Sequence, residues 1–229
     1  MKMRPLKKLI SYKEAKEIID ENIRGIESVE NVPILHAAGR VIAEDILAKI
    51  NVPSFDRASM DGFAVIAEDT FSATQTKPCA LKVIGEIYAG EKKVLAIRKG
   101  EAVKIATGAR MPKGADSVVI FEETDIENDT LRVYKPVHPG ANVSKMGSDI
   151  KSGDLVVPKD KILDASKIGA IASLGYKEVT VYRKPIVSII PTGNEIAEVG
   201  EPLNEGQVYN TNTYTIASVV NENGGIPSP

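Results

Sequence analysis

The stretch Pro53-Ser54-Phe55-Asp56-Arg57-Ala58-Ser59-Met60-Asp61-Gly62-Phe63-Ala64-Val65 sets two carboxylates, a hydroxyl and a guanidinium immediately before an apolar run. Oxygen ligands and a fixed cation on a loop that feeds a strand are the parts of a site that binds or moves charge. Pro53 has no N–H for a strand ladder and so ends the extended segment before it. Asp61-Gly62 reads as a turn, because glycine accepts positive φ without a Cβ clash. A hairpin turn followed by an edge strand accounts for the same residues, and spacing alone leaves both readings open. An EF-hand loop is excluded, since that motif needs acids at alternate positions ahead of its glycine.

Three further loops carry comparable residues. In Thr107-Gly108-Ala109-Arg110-Met111-Pro112-Lys113-Gly114-Ala115-Asp116, two glycines and a proline force a tight path. That path could direct backbone N–H groups and the Thr107 hydroxyl at an oxyanion; a plain connection between strands is the alternative. Gly147-Ser148-Asp149-Ile150-Lys151-Ser152-Gly153-Asp154 is another acid-bearing turn, in which Asp149 stands open between a site and a surface role. Pro191-Thr192-Gly193-Asn194-Glu195 follows the apolar run Pro185–Ile190. The C-terminal edge of a parallel sheet is where ligands bind, so Glu195 has a positional reason to function; a solvated loop acid is the competing account. His36 lies in an apolar stretch and His138 in a Pro/Gly turn, and neither belongs to a Ser/His/Asp order. There is no Walker lysine loop and no GxGxxG dinucleotide fingerprint.

Composition limits the classes of function. The chain has 229 residues, 43% hydrophobic and 26% charged, ordinary globular values that suffice for one large or two to three small domains. Its 29 basic and 31 acidic residues give a formal charge of −2, which is not the cationic field of a phosphate-tracking protein, so nucleic acid is disfavoured. One cysteine, Cys79, makes no intrachain disulfide, and with two histidines it makes no zinc cluster. Charged residues from Lys13 to Asp20 interrupt any signal-peptide core, and no apolar run approaches the roughly 20 residues of a membrane span. The expectation is a cytoplasmic protein without a membrane partner.

The frame for these loops is legible in outline. Ser11-Tyr12-Lys13-Glu14 is a capping-box pattern, and Ala15, Ile18, Ile19 and Ile23 recur at helical spacing, so residues 12–23 read as an amphipathic helix with Gly25 at its C′ position. A short helix is expected around His36–Ala43. From Ala48 to Val157 the chain breaks into short β-rich runs: 63–66, 81–88, 102–106, 117–122, 131–137 and 155–157. These predict a compact antiparallel β-domain. Asp164-Ala165-Ser166 can cap a helix through Leu174 that Gly175 stops, and Glu178–Tyr182 alternates as a strand. Pro185–Ile190 reads as a parallel strand buried on both faces, followed by a helix over 211–223 and Gly224-Gly225. This is the opening of an α/β domain; the sequence ends before a second parallel strand is expected, as an N-terminal fragment of something longer would.

In this order and at these spacings the loops resemble the molybdopterin molybdenumtransferase family, the MoeA proteins and the C-terminal domain of gephyrin. The family's Pro-x-Phe-Asp, small pair, Met-Asp-Gly-aromatic-Ala stands as Pro53–Ala64, and its Thr-Gly-Ala-x-x-Pro-x-Gly-Ala-Asp as Thr107–Asp116. Gly147–Ile150, Ser173–Gly175, Thr192–Glu195 and Gly206–Asn212 also match, so the resemblance covers essentially the whole chain.

The resemblance implies an α+β, multi-domain architecture: mainly β N-terminal domains followed by the start of an α/β domain. The implied parts are an N-terminal helix segment 1–25, a discontinuous dimerisation domain of 26–50 and 145–183, an inserted β-rich domain 51–144, and a truncated α/β domain 184–229. It implies insertion of molybdate into adenylylated molybdopterin with release of AMP, by a homodimer whose cleft lies between the β-rich domain of one subunit and the α/β domain of the other. Catalytic roles map to Asp61, Thr107, Asp149 and Glu195, and cofactor-binding roles to Ser59, Gly108, Thr192 and Gly193. Asp61 and Glu195 become candidate ligands of Mg²⁺, which bridges phosphates through oxygen. A carboxyl group with a raised pKa can relay the protons that turn an oxo group of molybdate into water, and Thr107 can donate to an anionic oxygen without adding charge. Ala58-Ser59 stands where many members have Ser then Ala, and Asn194 where an Asp is common, which weakens the local negative charge. The family's Ser-Gly-Gly-x-Ser loop is not within these residues, so the chain alone is expected to lack a complete site. Two other classes are carried forward: a non-catalytic dimerisation or binding module on the same scaffold, and a metal-dependent phosphohydrolase built on the Asp cluster.

Overall fold

The computed structural model describes residues 9–229; the first eight residues of the expected 1–25 segment lie outside it. Along the chain run α1 (Tyr12–Asn22), β1 (Val29–Pro33), β2 (Ile46–Leu47), β3 (Arg57–Ala58) and β4 (Gly62–Val65). Next come β5 (Cys79–Ile87), β6 (Glu101–Ile105), β7 (Ser117–Ile120), β8 (Thr124–Glu127), β9 (Thr130–Val133), β10 (Val143–Ser144) and β11 (Leu155–Val157). Last are α2 (Ala165–Ser173), β12 (Glu178–Tyr182), β13 (Ile186–Ser188), β14 (Ile196–Ala197), β15 (Val208–Tyr209), α3 (Thr211–Glu222) and β16 (Ile226–Ser228). The chain is thus mainly β with three α-helices among the described residues.

Contacts gather these elements into two compact units. One holds residues up to Glu44, Lys159–Ile168 and Lys177–Pro229, and the other Asp45–Pro158 and Gly169–Tyr176. These cuts fall at different points from the expected domain limits at 51, 145 and 184.

The second unit is built on a six-stranded sheet in the order β7-β4-β6-β5-β9-β8. The sheet is mixed and not purely antiparallel as expected, because β5 and β6 pair in parallel, Lys82 against Glu101. The long connection Tyr88–Gly100 makes this possible, since a parallel neighbour needs a crossover that a tight turn cannot supply. The apolar runs pack on both faces. Phe63, Val65, Leu81, Ala102, Val119, Leu131 and Val133 form one core; Ala64, Ile87, Val103, Ile105 and Val118 form the other. Each fully buried Val or Ile here contributes about 1.5–3 kcal/mol. β4, buried at every residue, is an interior strand and not the edge strand that the hairpin reading supposed.

In the first unit β1 pairs antiparallel with β12, Val29 against Tyr182. Ser11 caps α1 as its pattern predicts, its Oγ accepting the Glu14 N–H at 3.1 Å. The helix ends through an extended Ile23, however, and Gly25 does not take positive φ. No helix covers 36–43. A single 3₁₀ turn spans Ile34–His36, after which Gly39 takes φ of 75° and Val41 and Ile42 turn to pair with Ile162 and Val181. β13 is shorter than the expected strand and exposed at all three residues. It does find a second parallel strand, contrary to the sequence reading, because Gly224-Gly225 returns the chain from α3 so that Ile226 lies against Ile186. One neighbour and one helix leave much of its surface uncovered, which is why Ile186 remains 72% exposed. Among the described residues no helix is long and apolar enough to cross a membrane.

Candidate functional site

The register of β4 against β6 sets Gly62 opposite Ile105. Asp61, just before β4, and Thr107, two residues beyond β6, therefore meet at one end of the sheet. The Thr107 N–H donates to Asp61 Oδ1 at 2.7 Å, and the Thr107 hydroxyl donates to the same oxygen at 2.9 Å. Both residues are exposed. These two donors, the backbone N–H first and the hydroxyl second, hold the Asp61 carboxyl below the ordinary carboxylate range. Gly62 is not the turn glycine that its position suggests, for it lies within β4 and lacks positive φ. Its requirement is steric: a Cβ there would stand 2.0 Å from the Val119 carbonyl oxygen of β7.

Three loops converge beside this pair through backbone bonds. Gly108 N–H donates to the Ala58 carbonyl at 2.8 Å, Ala58 N–H to Ala109 at 3.0 Å, and Met111 N–H to Asp56 at 3.0 Å. Ser59 N–H donates to the Asn142 carbonyl at 2.9 Å, Gly147 N–H to Pro53 at 2.9 Å, and Asp149 N–H to Val52 at 3.0 Å. Gly108 takes φ of 80° and Gly147 φ of 72°, which a Cβ-bearing residue resists. The Asp56 carboxylate ties two of the loops together, accepting the Met146 N–H at 2.8 Å and Lys145 Nζ at 2.9 Å. That backbone N–H and the lysine hold the Asp56 carboxyl below its ordinary range. Asp149 is exposed, accepts from the Ser148 hydroxyl at 3.0 Å, and stands 4.0 Å from Arg57 Nη2. Neither Asp61 nor Thr107 is among its hydrogen-bond partners.

Ser59, Asp61, Thr107, Gly108 and Asp149 thus belong to one compact unit, and Thr192, Gly193 and Glu195 belong to the other. There the loop after β13 leads into β14, and the Glu195 carbonyl accepts the Val208 N–H at 2.8 Å. The Glu195 carboxylate folds back over Gly193, where a Cβ would lie 2.6 Å from Oε1. A φ of 149° also requires glycine at that position. Glu195 is exposed at the loop that leaves the C-terminal end of a parallel strand, as expected.

Asp56, Lys145 and Arg57 were not assigned roles from sequence. Asp56 stood inside the family motif, but its partner lies 89 residues away and only the fold brings it near. Among the described residues no group of three or more His, Cys, Asp or Glu could hold a metal. Asp61 Oδ2, outside the contacts to Thr107, is an open carboxylate oxygen of the sort that Mg²⁺ takes when phosphate and water complete its shell.

A family model for the MoeA N-terminal region (domain I and II) matches residues 10–175. The molybdopterin molybdenumtransferase of Staphylococcus epidermidis is 36% identical over 216 residues, 94% of this chain and 51% of that protein. Molybdopterin molybdenumtransferase 2 of Mycobacterium tuberculosis is 35% identical over 214 residues, 93% of this chain and 53% of that protein. A crystal structure of the molybdopterin biosynthesis MoeA protein of Pyrococcus horikoshii superposes with a TM-score of 0.88 at 40% identity, covering 96% of this chain and 59% of the other. The chain spans about half the length of the curated relatives it matches. The register that joins Asp61 to Thr107, the loops knitted around Asp56 and the match over residues 10–175 agree, and the chain belongs to the MoeA N-terminal region family.

Proposed function

We propose that this chain provides part of the active site of an enzyme of molybdenum-cofactor synthesis, which inserts molybdate into adenylylated molybdopterin and releases AMP. The observation that carries this reading is the Asp61–Thr107 pair. An exposed carboxylate with two neutral donors on one oxygen stays ionised at neutral pH and keeps its second oxygen for a cation. Asp61 acts in this reading as an anion and not as the proton donor, a role left to Asp149 or Glu195. Bound Mg²⁺ would neutralise phosphoanhydride charge during release of AMP. Asp61 would hold it through Oδ2, the oxygen outside its contacts to Thr107. Thr107 keeps the Asp61 carboxylate oriented, and the two loops that carry Ser59 and Gly108, joined by the Gly108–Ala58 backbone bond, would receive the substrate's anionic end. The active form is a cytoplasmic homodimer, as the family resemblance implies.

The test joins the chain to the C-terminal half that its relatives carry and measures cofactor reconstitution from adenylylated molybdopterin, Mg²⁺ and molybdate. Asp61→Asn keeps an acceptor for both Thr107 donors but removes the charge. It should lower turnover by about two to three orders of magnitude and move Tm by less than about 2 °C. Parental turnover in this variant refutes the role. Phosphatase turnover without molybdate points instead to a phosphohydrolase, and substrate binding without turnover to a binding module.

A further inference from the structure

A cavity of about 150 Å³ lies wholly within the compact unit that carries β1 and β12, which holds none of Ser59, Asp61, Thr107, Gly108 and Asp149. Its walls come from the segment after the 3₁₀ turn, from the connection between β12 and β13, and from the end of α3. Three of the lining side chains are cationic: Arg40, Arg183 and Lys184. The Arg40 side chain is only 10% exposed. Its Nη2 donates to Glu30 Oε1 at 2.5 Å and to the Tyr182 carbonyl at 2.7 Å, whereas Nη1 and Nε have no partner among the described residues. Those two atoms are not sealed in the interior, because Thr213 Oγ1 is the one buried side-chain N or O without a partner among the described residues. Arg183 donates through Nε to the Val29 carbonyl at 3.4 Å. Neither Arg183 nor Lys184 forms an ion pair among the described residues. Three cations less the one carboxylate paired with them, Glu30, leave two positive charges around the cavity. Helix capping does not account for them. The carbonyls of Val219, Val220 and Asn221 in the last turn of α3 already accept the N–H groups of Asn223, Gly225 and Gly224 at 3.1, 2.9 and 3.0 Å.

We propose that this cavity binds a doubly charged tetrahedral oxyanion, a phosphate that is either free or the monoester of a small molecule. A guanidinium has five donors, and Arg40 holds them largely out of water with two atoms unused, a costly arrangement unless an anion completes it. Guanidinium forks match phosphate oxygens in pairs, and a lysine adds a point charge. A dianion cancels the two charges that Glu30 leaves over, whereas a carboxylate cancels one. A water takes about 30 Å³ of liquid volume, so the cavity has room for a phosphate and ordered water beside it. Val41, Ile162 and Pro185 add an apolar wall that suits the organic part of an ester. The occupant ties Arg40 to the connection that leads from β12 into β13 and to the end of α3, so its binding orders the passage from the β1–β12 pair to the β13–β16 pair. This site is separate from the insertion reaction proposed above and does not depend on it.

Titration of the 229-residue chain with sodium phosphate, glycerol 3-phosphate and sodium chloride in separate arms at matched ionic strength, read by NMR of the Gly39, Arg183, Lys184 and Gly224 amide signals, tests the assignment. Phosphate or its ester should shift these signals together with a Kd of about 1 mM or tighter, and chloride should not. Phosphate binding that the ester does not improve identifies the free ion as the occupant; tighter binding of the ester identifies an esterified phosphate. Arg183→Gln and Lys184→Gln alter exposed side chains and leave the contacts of Arg40 to Glu30 and Tyr182 in place. They should weaken the anion about tenfold and about fivefold, and the rise in Tm that phosphate gives the parent should shrink with them. Lys92→Gln removes one exposed cation from the other compact unit and should leave binding within about twofold. The proposal is overturned if neither phosphate arm moves the signals, if chloride reproduces the shifts, or if both cavity variants bind as the parent does. Equal weakening by Lys92→Gln and Lys184→Gln also overturns it, because the attraction would then belong to the protein's overall charge and not to the cavity.

Discussion

Replacing Gly62 by Ala puts a single methyl where β4 has none to spare. An ideal Cβ at that position lies 2.0 Å from the Val119 carbonyl oxygen, 2.9 Å from its carbonyl carbon and 3.0 Å from Ile120 Cα. All three atoms are backbone, so no side chain can swing away. β7 is held to β4 by the pairing of Gly62 with Ile120, while β6 holds the opposite edge through Ile105. Relief therefore requires the strands to part. Overpacking together with a lost ladder bond costs about 3–4 kcal/mol. For a chain of this size that is a fall in Tm of roughly 6–16 °C. Gly169 is the control: it lies inside α2 with nothing within 4 Å of its would-be Cβ, so Gly169→Ala should stabilise by about 0.5–1 kcal/mol. Calorimetry and urea midpoints read both variants. Displacement of β4 also drags Asp61 from Thr107, so the Asp61 carboxyl pKa, followed by NMR, should rise toward its ordinary value in Gly62→Ala. Small Tm shifts of the same sign in both variants, with Asp61 unmoved, refute the argument that the approach of Val119 is what requires glycine.

Other perturbations separate the parts of the site. Thr107→Val deletes the hydroxyl donor but keeps the backbone one, so the Asp61 pKa should rise part of the way; an unchanged titration means that the 2.9 Å contact carries no weight in solution. Asp56→Asn removes the charge that accepts from Lys145 and Met146 and should cost about 1 kcal/mol after allowance for partial exposure. The folded-state pKa of Asp56 is depressed, so its contribution is present above the unfolded value of about 3.9 and is lost as pH falls through the lower folded value. The variant should accordingly show a shallower loss of stability below about pH 4 than the parent. Sedimentation at micromolar concentration should give about twice 24.6 kDa, and a clean monomer counts against the proposed dimer.

What could be read from sequence follows the range of the interactions involved. α1, α2 and α3 were legible because their signals are local: Ser11 caps the first, Asp164 accepts the Lys167 N–H at the second, and Gly224 ends the third at φ of 81°. The apolar runs that became β4, β6 and β7 were legible because strands buried on both faces need no alternation. Their pairing was not, since the parallel register of β5 with β6 depends on the course of the connection between them. Gly62 shows the same limit at one residue. Its neighbour Asp61 suggested a turn, whereas the cause is a carbonyl 57 positions later that arrives only when β7 docks. β16 was missed because three residues with a proline carry no strand signal, yet two glycines place them against β13.

The acids of the converging loops differ in what faces them, and this divides their work. Asp56 faces a lysine and a backbone N–H, so its charge is neutralised and serves the frame. Asp149 faces Arg57 at 4.0 Å, an exposed and partial compensation. Asp61 accepts from two neutral donors and forms no ion pair among the described residues, so its charge is stabilised without being cancelled. Lys104, which takes part in none of the ion pairs among the described residues, lines one cavity with Asp61. In the proposed reaction a phosphate would meet Lys104 by direct attraction and Asp61 only through an intervening cation, and a Mg²⁺ requirement at Asp61 is the consequence to test. Charge reversal should expose the difference. In the extended protein, Asp61→Lys should lose the Mg²⁺ dependence of AMP release along with its rate, whereas Asp149→Lys, beside Arg57, should retain it; identical Mg²⁺ dependence in both would remove the distinction drawn here.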